Sequence, residues 1–168
     1  MLYLVDANVL IDAHRDYYPM ERVPEFWDWL LYQGETGAVK IPAEIYEEIV
    51  EGNGPLVDWL KRDDVQAALI LDEECEPSLV QAVIAAGYAR DLTDDELVSV
   101  GRDPLLIAYA KAVATERCVV TTETSRPSKQ RANRKVPDAC NDNGVTCCNT
   151  FEFIRRLNFS TQWRRPKT

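Results

Sequence analysis

Short apolar runs that stop at a polar residue and give way to an amphipathic stretch constrain this chain more than any other feature. Residues 2–5 (LYLV) read as a buried strand, and Val9, Leu10 and Ile11 resume apolar character in a helix predicted over 7–14. The change from strand to helix recurs in GAVKIP, ending at Pro42 before a helix over 43–52 that Gly52 and Gly54 stop, and the polar stop itself recurs in RCVVTT, ending at Thr122. It closes with VTCC and a last helix in NTFEFIRRL. Between these strands the spacing predicts helices over 25–33, over PLVDWLKRD with Pro55 in its first turn, and over PSLVQAVIAAGYAR. QAALIL reads as helical or extended, TDDE (93–96) as a capping box, PLLIAYAKAVA as a helix opened by Asp103 and Pro104, and PDACNDNG as a short helix closed by Gly144. Strands alternating with helices predict an α/β fold of three layers, α-β-α, around a central parallel sheet. Residues 1–158 read as one domain and 159–168 as a mobile basic tail.

No apolar run approaches the length of a membrane span, and the first residues lack a basic region followed by an apolar one, so a cytoplasmic protein is expected. The five cysteines form no C-x-x-C pair, and the lone His14 cannot complete a zinc set of the usual spacing. They read as reduced thiols used as small buried hydrophobes. The net charge of −9 is unevenly spread: residues 126–168 hold ten of the 19 basic residues and three acids, a balance of +7 against −16 for the rest. Such asymmetry points to a polyanion-binding face beside an acidic one.

Four acidic residues fall at element boundaries: Asp6 after the first strand, Glu48 in the helix after the second, Asp103 at a helix start, and Glu123 just after RCVVTT. In a parallel sheet, strand ends and the first turns of the following helices meet at one edge. Four carboxylates there would repel one another, and hard divalent cations with oxygen ligands, Mg²⁺ or Mn²⁺, would offset that. The capping reading of Asp6 and of Asp103 stands beside this one, and Glu44, Glu47 and Glu51 share the helix of Glu48. Asp12 reads as a solvated helix residue; Asp138 and Asp142 read as capping and turn residues, with a supporting role at the site as the alternative for Asp138. The stretch SRPSKQRANRK places Arg126, Lys129, Arg131, Arg134 and Lys135 directly after Glu123, which suits a phosphodiester lying along an acidic metal site; a solvated loop is the alternative. EFWDWLLY reads as core, with an interface for a second copy or a partner helix as the alternative.

VDANVLI, IPAEIYEEIVEG, RDPLLIAYA and VVTTETS, in this order and spacing, resemble the PIN-domain ribonucleases, including VapC-type toxins of toxin–antitoxin pairs. VPDACNDNGVTCCNTFEFIRRL resembles the ending of an uncharacterised PIN subfamily. The resemblance implies a PIN-like fold in which Asp6, Glu48, Asp103 and Glu123 hold Mg²⁺ or Mn²⁺, Glu123 departing from the aspartate or asparagine more usual at the fourth place. It further implies that Asn8 and Thr121 orient Asp6 and line the site, with Arg126, Lys129 and Arg131 as substrate-positioning residues. The implied activity is metal-dependent hydrolysis of RNA, leaving a 5′-phosphate and a 3′-hydroxyl, by a toxin with a cognate antitoxin and with homodimerisation open. A catalytically inactive PIN-like RNA-binding module is the alternative. A haloacid-dehalogenase-like phosphatase fits less well, because Asn8 stands where those enzymes resemble D-x-D.

Overall fold

The computed structural model describes residues 1–166. Five strands, β1 (Leu2–Val5), β2 (Val39–Pro42), β3 (Ile70–Leu71), β4 (Arg117–Thr121) and β5 (Thr146–Asn149), form one sheet in the order β3-β2-β1-β4-β5. Every pairing is parallel, so the sheet is the one the strand–helix alternation predicts. Apolar residues on both faces explain this: Leu4, Val5, Val39, Ile41, Val119 and Val120 are all buried, as strands covered on two sides must be.

Among the described residues ten α-helices supply the cover: α1 (Ala7–Asp12), α2 (Pro24–Glu35), α3 (Ala43–Val50), α4 (Pro55–Leu60), α5 (Asp63–Leu69), α6 (Pro77–Gly87), α7 (Asp94–Val100), α8 (Asp103–Ala112), α9 (Val136–Asp142) and α10 (Thr150–Arg156). They make the flanking layers of a three-layer α-β-α architecture, with α6, α8 and α9 packed together and α2 packed on α5. The α2–α5 approach needs Gly34, where an added Cβ would sit 2.6 Å from Leu69 Cδ2 and 2.9 Å from the Ala68 carbonyl oxygen. The TDDE capping box forms as expected, Thr93 and Glu96 each accepting the other's backbone N–H.

Three differences from the sequence expectations have local causes. The helix expected over 7–14 ends at Asp12 and continues as one π-helical turn, Ala13–Tyr17, which brings Tyr18 onto Phe26 with ring centroids 4.3 Å apart. QAALIL is divided: its first residues complete α5, and Ile70 and Leu71 turn extended to pair with Ile41 and Pro42. The segment expected to run free from residue 159 is packed down. Phe159 lies among Tyr18, Phe26 and Trp29, 5.5, 5.3 and 5.1 Å away, Trp163 meets Tyr32 at 5.5 Å, and Arg165 pairs with Glu35 at 2.8 Å. Lys167 and Thr168 of the expected tail lie outside the described residues. EFWDWLLY is core, with Phe26, Trp27, Trp29, Leu30 and Leu31 buried. All five cysteines are free thiols, and Cys118, Cys140 and Cys148 are buried. Among the described residues no helix is long and apolar enough to cross a membrane.

Candidate active site

The chain leaves β1 to build β2 and β3 on one side and crosses over to build β4 and β5 on the other. The two directions part between β1 and β4, and the crevice at the carboxyl ends of such strands is where open α/β sheets bind ligands. Asp6 follows the end of β1, Thr121 ends β4, and Thr122 and Glu123 come directly after it. The last rung holds them in place: Asp6 N–H donates to the Val120 carbonyl at 3.0 Å.

Asp6 is buried, and it does not cap α1 with its side chain. Its Oδ2 instead accepts from Thr121 Oγ1 at 2.8 Å, and the same hydroxyl oxygen accepts the Glu123 N–H at 3.2 Å. Thr121 thus orients Asp6, as expected, whereas Asn8 does not: Asn8 lies exposed on the outer side of α1 and makes no bond to Asp6. The helix period explains the difference, because Val9 and Leu10 turn into the core and leave Asn8 on the opposite side.

Asp103 is the first residue of α8, and Arg102 occupies the cap position, so the capping reading of Asp103 does not hold. Arg102 fixes this helix start against α3 by donating to the Glu44 carbonyl and, at 3.0 Å, to Glu51 Oε1. Burial raises the Asp103 carboxyl to about 7, with the charges of Asp6, Glu123 and Glu48 adding to the rise. Asp6 is raised to about 6, again mainly by burial, opposed by the Thr121 hydrogen bond and aided by Glu48 and Glu123. Four carboxylates therefore share one electrostatic neighbourhood, in which Lys135 is the counter-charge felt by Asp103. Glu48 is exposed on α3, while its neighbour Glu44 turns away to accept from the Tyr109 hydroxyl at 3.2 Å.

Glu123 has a structural task that the sequence reading missed. Its Oε1 accepts from Lys135 Nζ at 2.6 Å, and its Oε2 accepts from the Val136 N–H at 2.8 Å, so it clamps the first turn of α9. The signal was present in the basic residue directly before VPD, where a carboxylate satisfies an orphan donor. Asp138 does a related job, accepting from Ser125 Oγ at 2.5 Å and from the Arg126 N–H at 2.7 Å, and so pins the start of the basic loop.

Within that loop the basic residues divide. Arg131, expected to position substrate, is committed elsewhere: it forks onto Glu96 at 2.6 and 2.7 Å and reaches Asp91 at 2.9 Å, tying the loop to α7. Arg134 pairs with Asp142. Arg126 and Lys129 are exposed and form no ion pair among the described residues. With Arg134 and Lys135 they wall a polar cleft of about 340 Å³ whose acidic members are Asp103 and Glu123. Asp12 pairs with Arg15 at 2.7 Å on the surface of α1, as a solvated helix residue does.

Hard divalent cations suit this donor set in kind. Asp6 and Asp103 are oxygen ligands made costly to ionise by burial first and by the neighbouring carboxylates second, and the buried Tyr88 hydroxyl, which feels the charge of Asp103, has no hydrogen-bond partner among the described residues. Among the described residues no three acidic, histidine or cysteine side chains are drawn together as a ready metal cage. Mg²⁺ does not require one, since it binds through one or two carboxylates and keeps its remaining positions for water and phosphate.

No curated protein and no solved structure matches the chain. The family model described as "Domain of unknown function (DUF4411)" matches residues 3–161, from within β1 to beyond α10, and the chain belongs to that family.

Proposed function

We propose that this protein is a Mg²⁺- or Mn²⁺-dependent ribonuclease with a PIN-like active site. The observation that carries the reading is the pair Asp6 and Asp103, a buried and a half-buried carboxylate at the strand switch point whose ionised forms are disfavoured until a cation joins them. Asp6 and Asp103 would hold the cation, with Glu48 beside them on α3. Such an ion supplies Lewis-acid chemistry, polarising a phosphodiester and making water nucleophilic at neutral pH. The chain's own residues do the rest. Thr121 keeps Asp6 aimed into the crevice, Arg102 sets α8 so that Asp103 faces it, and Arg126 and Lys129 take the phosphates on either side. Glu123 supports the wall by holding α9, and a direct part in ligation would need it to release Lys135 or the Val136 N–H.

The test is incubation of pooled cellular RNA with the purified protein in Mg²⁺, in Mn²⁺ and in EDTA, beside Asp6→Asn. Cutting that is lost in EDTA and in the variant is expected; cutting that persists in Asp6→Asn would overturn the reading. A toxin of a type II pair, restrained by an antitoxin, should arrest growth when expressed alone, and Asp6→Asn should relieve the arrest. Unchanged growth would favour a solitary RNA-processing role. One observation supports the second reading, an RNA-binding module without catalysis: both oxygens of the fourth acid, Glu123, already have partners. RNA retained intact under every condition would select that reading.

A further inference from the structure

Glu123, at the edge of the polar cleft at Asp103, also borders a larger cleft of about 550 Å³ between the loop after β4 and the start of α10. Thr122, Thr124, Asn149, Phe151 and Glu152 line it. Its size is that of a small-molecule site, and its lining is mostly polar around one aromatic ring.

Phe151 is the unusual member. Helix α10 buries Thr150 and Phe153 and turns Phe151 outward, leaving it 51 % exposed at the rim of this cleft. Tyr17, equally exposed, braces it edge-to-face, with centroids 5.6 Å apart and planes at 83°. The π-helical turn after α1 is what brings Tyr17 there. Core packing accounts for neither ring, and two exposed aromatics fixed against each other beside a polar cleft form a rigid stacking surface. The polar groups around it have capacity to spare. Asn149 Oδ1 accepts the Glu152 N–H at 2.9 Å, which leaves the amide NH₂ to donate, and the hydroxyls of Thr122 and Thr124 stand along the same wall.

We infer that this cleft is a nucleobase subsite: the base of a single-stranded nucleotide next to the phosphate at Asp6 and Asp103 stacks on Phe151, with Thr122, Thr124 and Asn149 at its polar edge. The inference rests on the RNA reading above and adds where the strand lies, running from the Arg126–Lys129 wall past Glu123 to Phe151. Stacking on one ring tolerates any base, so the subsite grips single strands rather than reading sequence.

A short single-stranded RNA carrying 2-aminopurine tests it in the Asp103→Asn background, which removes a repelling charge and, on the reading above, cutting. Adding Phe151→Ala should weaken binding about tenfold and abolish the quenching of 2-aminopurine, Phe151→Trp should restore both, and the salt dependence should stay unchanged because no charge is removed. Binding unaltered by Phe151→Ala overturns the subsite while leaving the RNA reading intact. No RNA bound by Asp103→Asn and none cut by the unaltered protein overturns the RNA reading and the subsite with it.

Discussion

Without divalent cations, replacing Asp103 by asparagine is expected to stabilise the fold, by an amount that depends on pH. The Asp103 carboxyl is raised from 3.8 to about 7 by burial and by the charges of Asp6, Glu123 and Glu48. A carboxyl raised in this way holds its proton more readily folded than unfolded. Stability therefore falls as pH rises from 3.8 to about 7 and stays low above that. At about pH 8 the full shift corresponds to roughly 4 kcal/mol, and entry of water into this half-buried position should reduce that to about 2 kcal/mol. Asparagine keeps the shape and carries no charge. Unfolding in EDTA should thus show Asp103→Asn above the unaltered protein by roughly 4–8 °C at about pH 8, with the gap closing towards pH 4. Mg²⁺ should raise the unaltered protein and leave the variant unmoved, since only an ion that binds the folded state adds stability. An Asp103→Asn variant less stable than its parent in EDTA at about pH 8 would refute the reasoning, because it would show that the charge is compensated within the fold.

Other expectations follow from particular contacts. Thr121→Val removes the hydrogen bond that lowers the Asp6 carboxyl, so its midpoint, followed by NMR titration, should move above about 6, and Mg²⁺ affinity should fall. Tyr88→Phe deletes a buried hydroxyl that has no partner and should leave stability unchanged or slightly higher by thermal unfolding. Gly34→Ala places a Cβ 2.6 Å from Leu69 Cδ2 and should cost about 1–3 kcal/mol in denaturant unfolding. Arg126→Ala and Lys129→Ala should each lower the slope of RNA affinity against salt by about one, whereas Arg131→Ala, its fork held by Glu96 and Asp91, should loosen the loop to proteolysis more than it alters that slope.

Four strands of the sheet, β1, β2, β4 and β5, were legible because each is a short run, largely apolar, that gives way to a helical stretch, the pattern expected of a parallel sheet covered on two faces. What escaped was set by contacts distant in sequence. The two residues of β3 are extended only because Ile41 and Pro42 offer them a partner. Phe159 and Trp163 look like a polar tail's stray aromatics until Tyr18, Phe26, Trp29 and Tyr32 are placed beside them. At the site, position in the chain pointed to Asp6 and Asp103, at a strand end and a helix start, and the family resemblance pointed to Thr121, which hydrogen-bonds Asp6. Position alone could not tell which neighbour each side chain would choose. Asn8 was assigned to Asp6 and faces solvent, Arg131 was assigned to substrate and serves α7, and Glu123 carries α9.

Calorimetric titration of Mg²⁺ and of Mn²⁺ into the unaltered protein, Asp6→Asn, Asp103→Asn and Asn8→Ala tests most directly whether the Asp6 and Asp103 carboxylates form a cation site. Saturable binding in the unaltered protein and in Asn8→Ala, lost in both aspartate variants, is the expected result. Binding that survives in both aspartate variants, or none in the unaltered protein at millimolar cation, would contradict it.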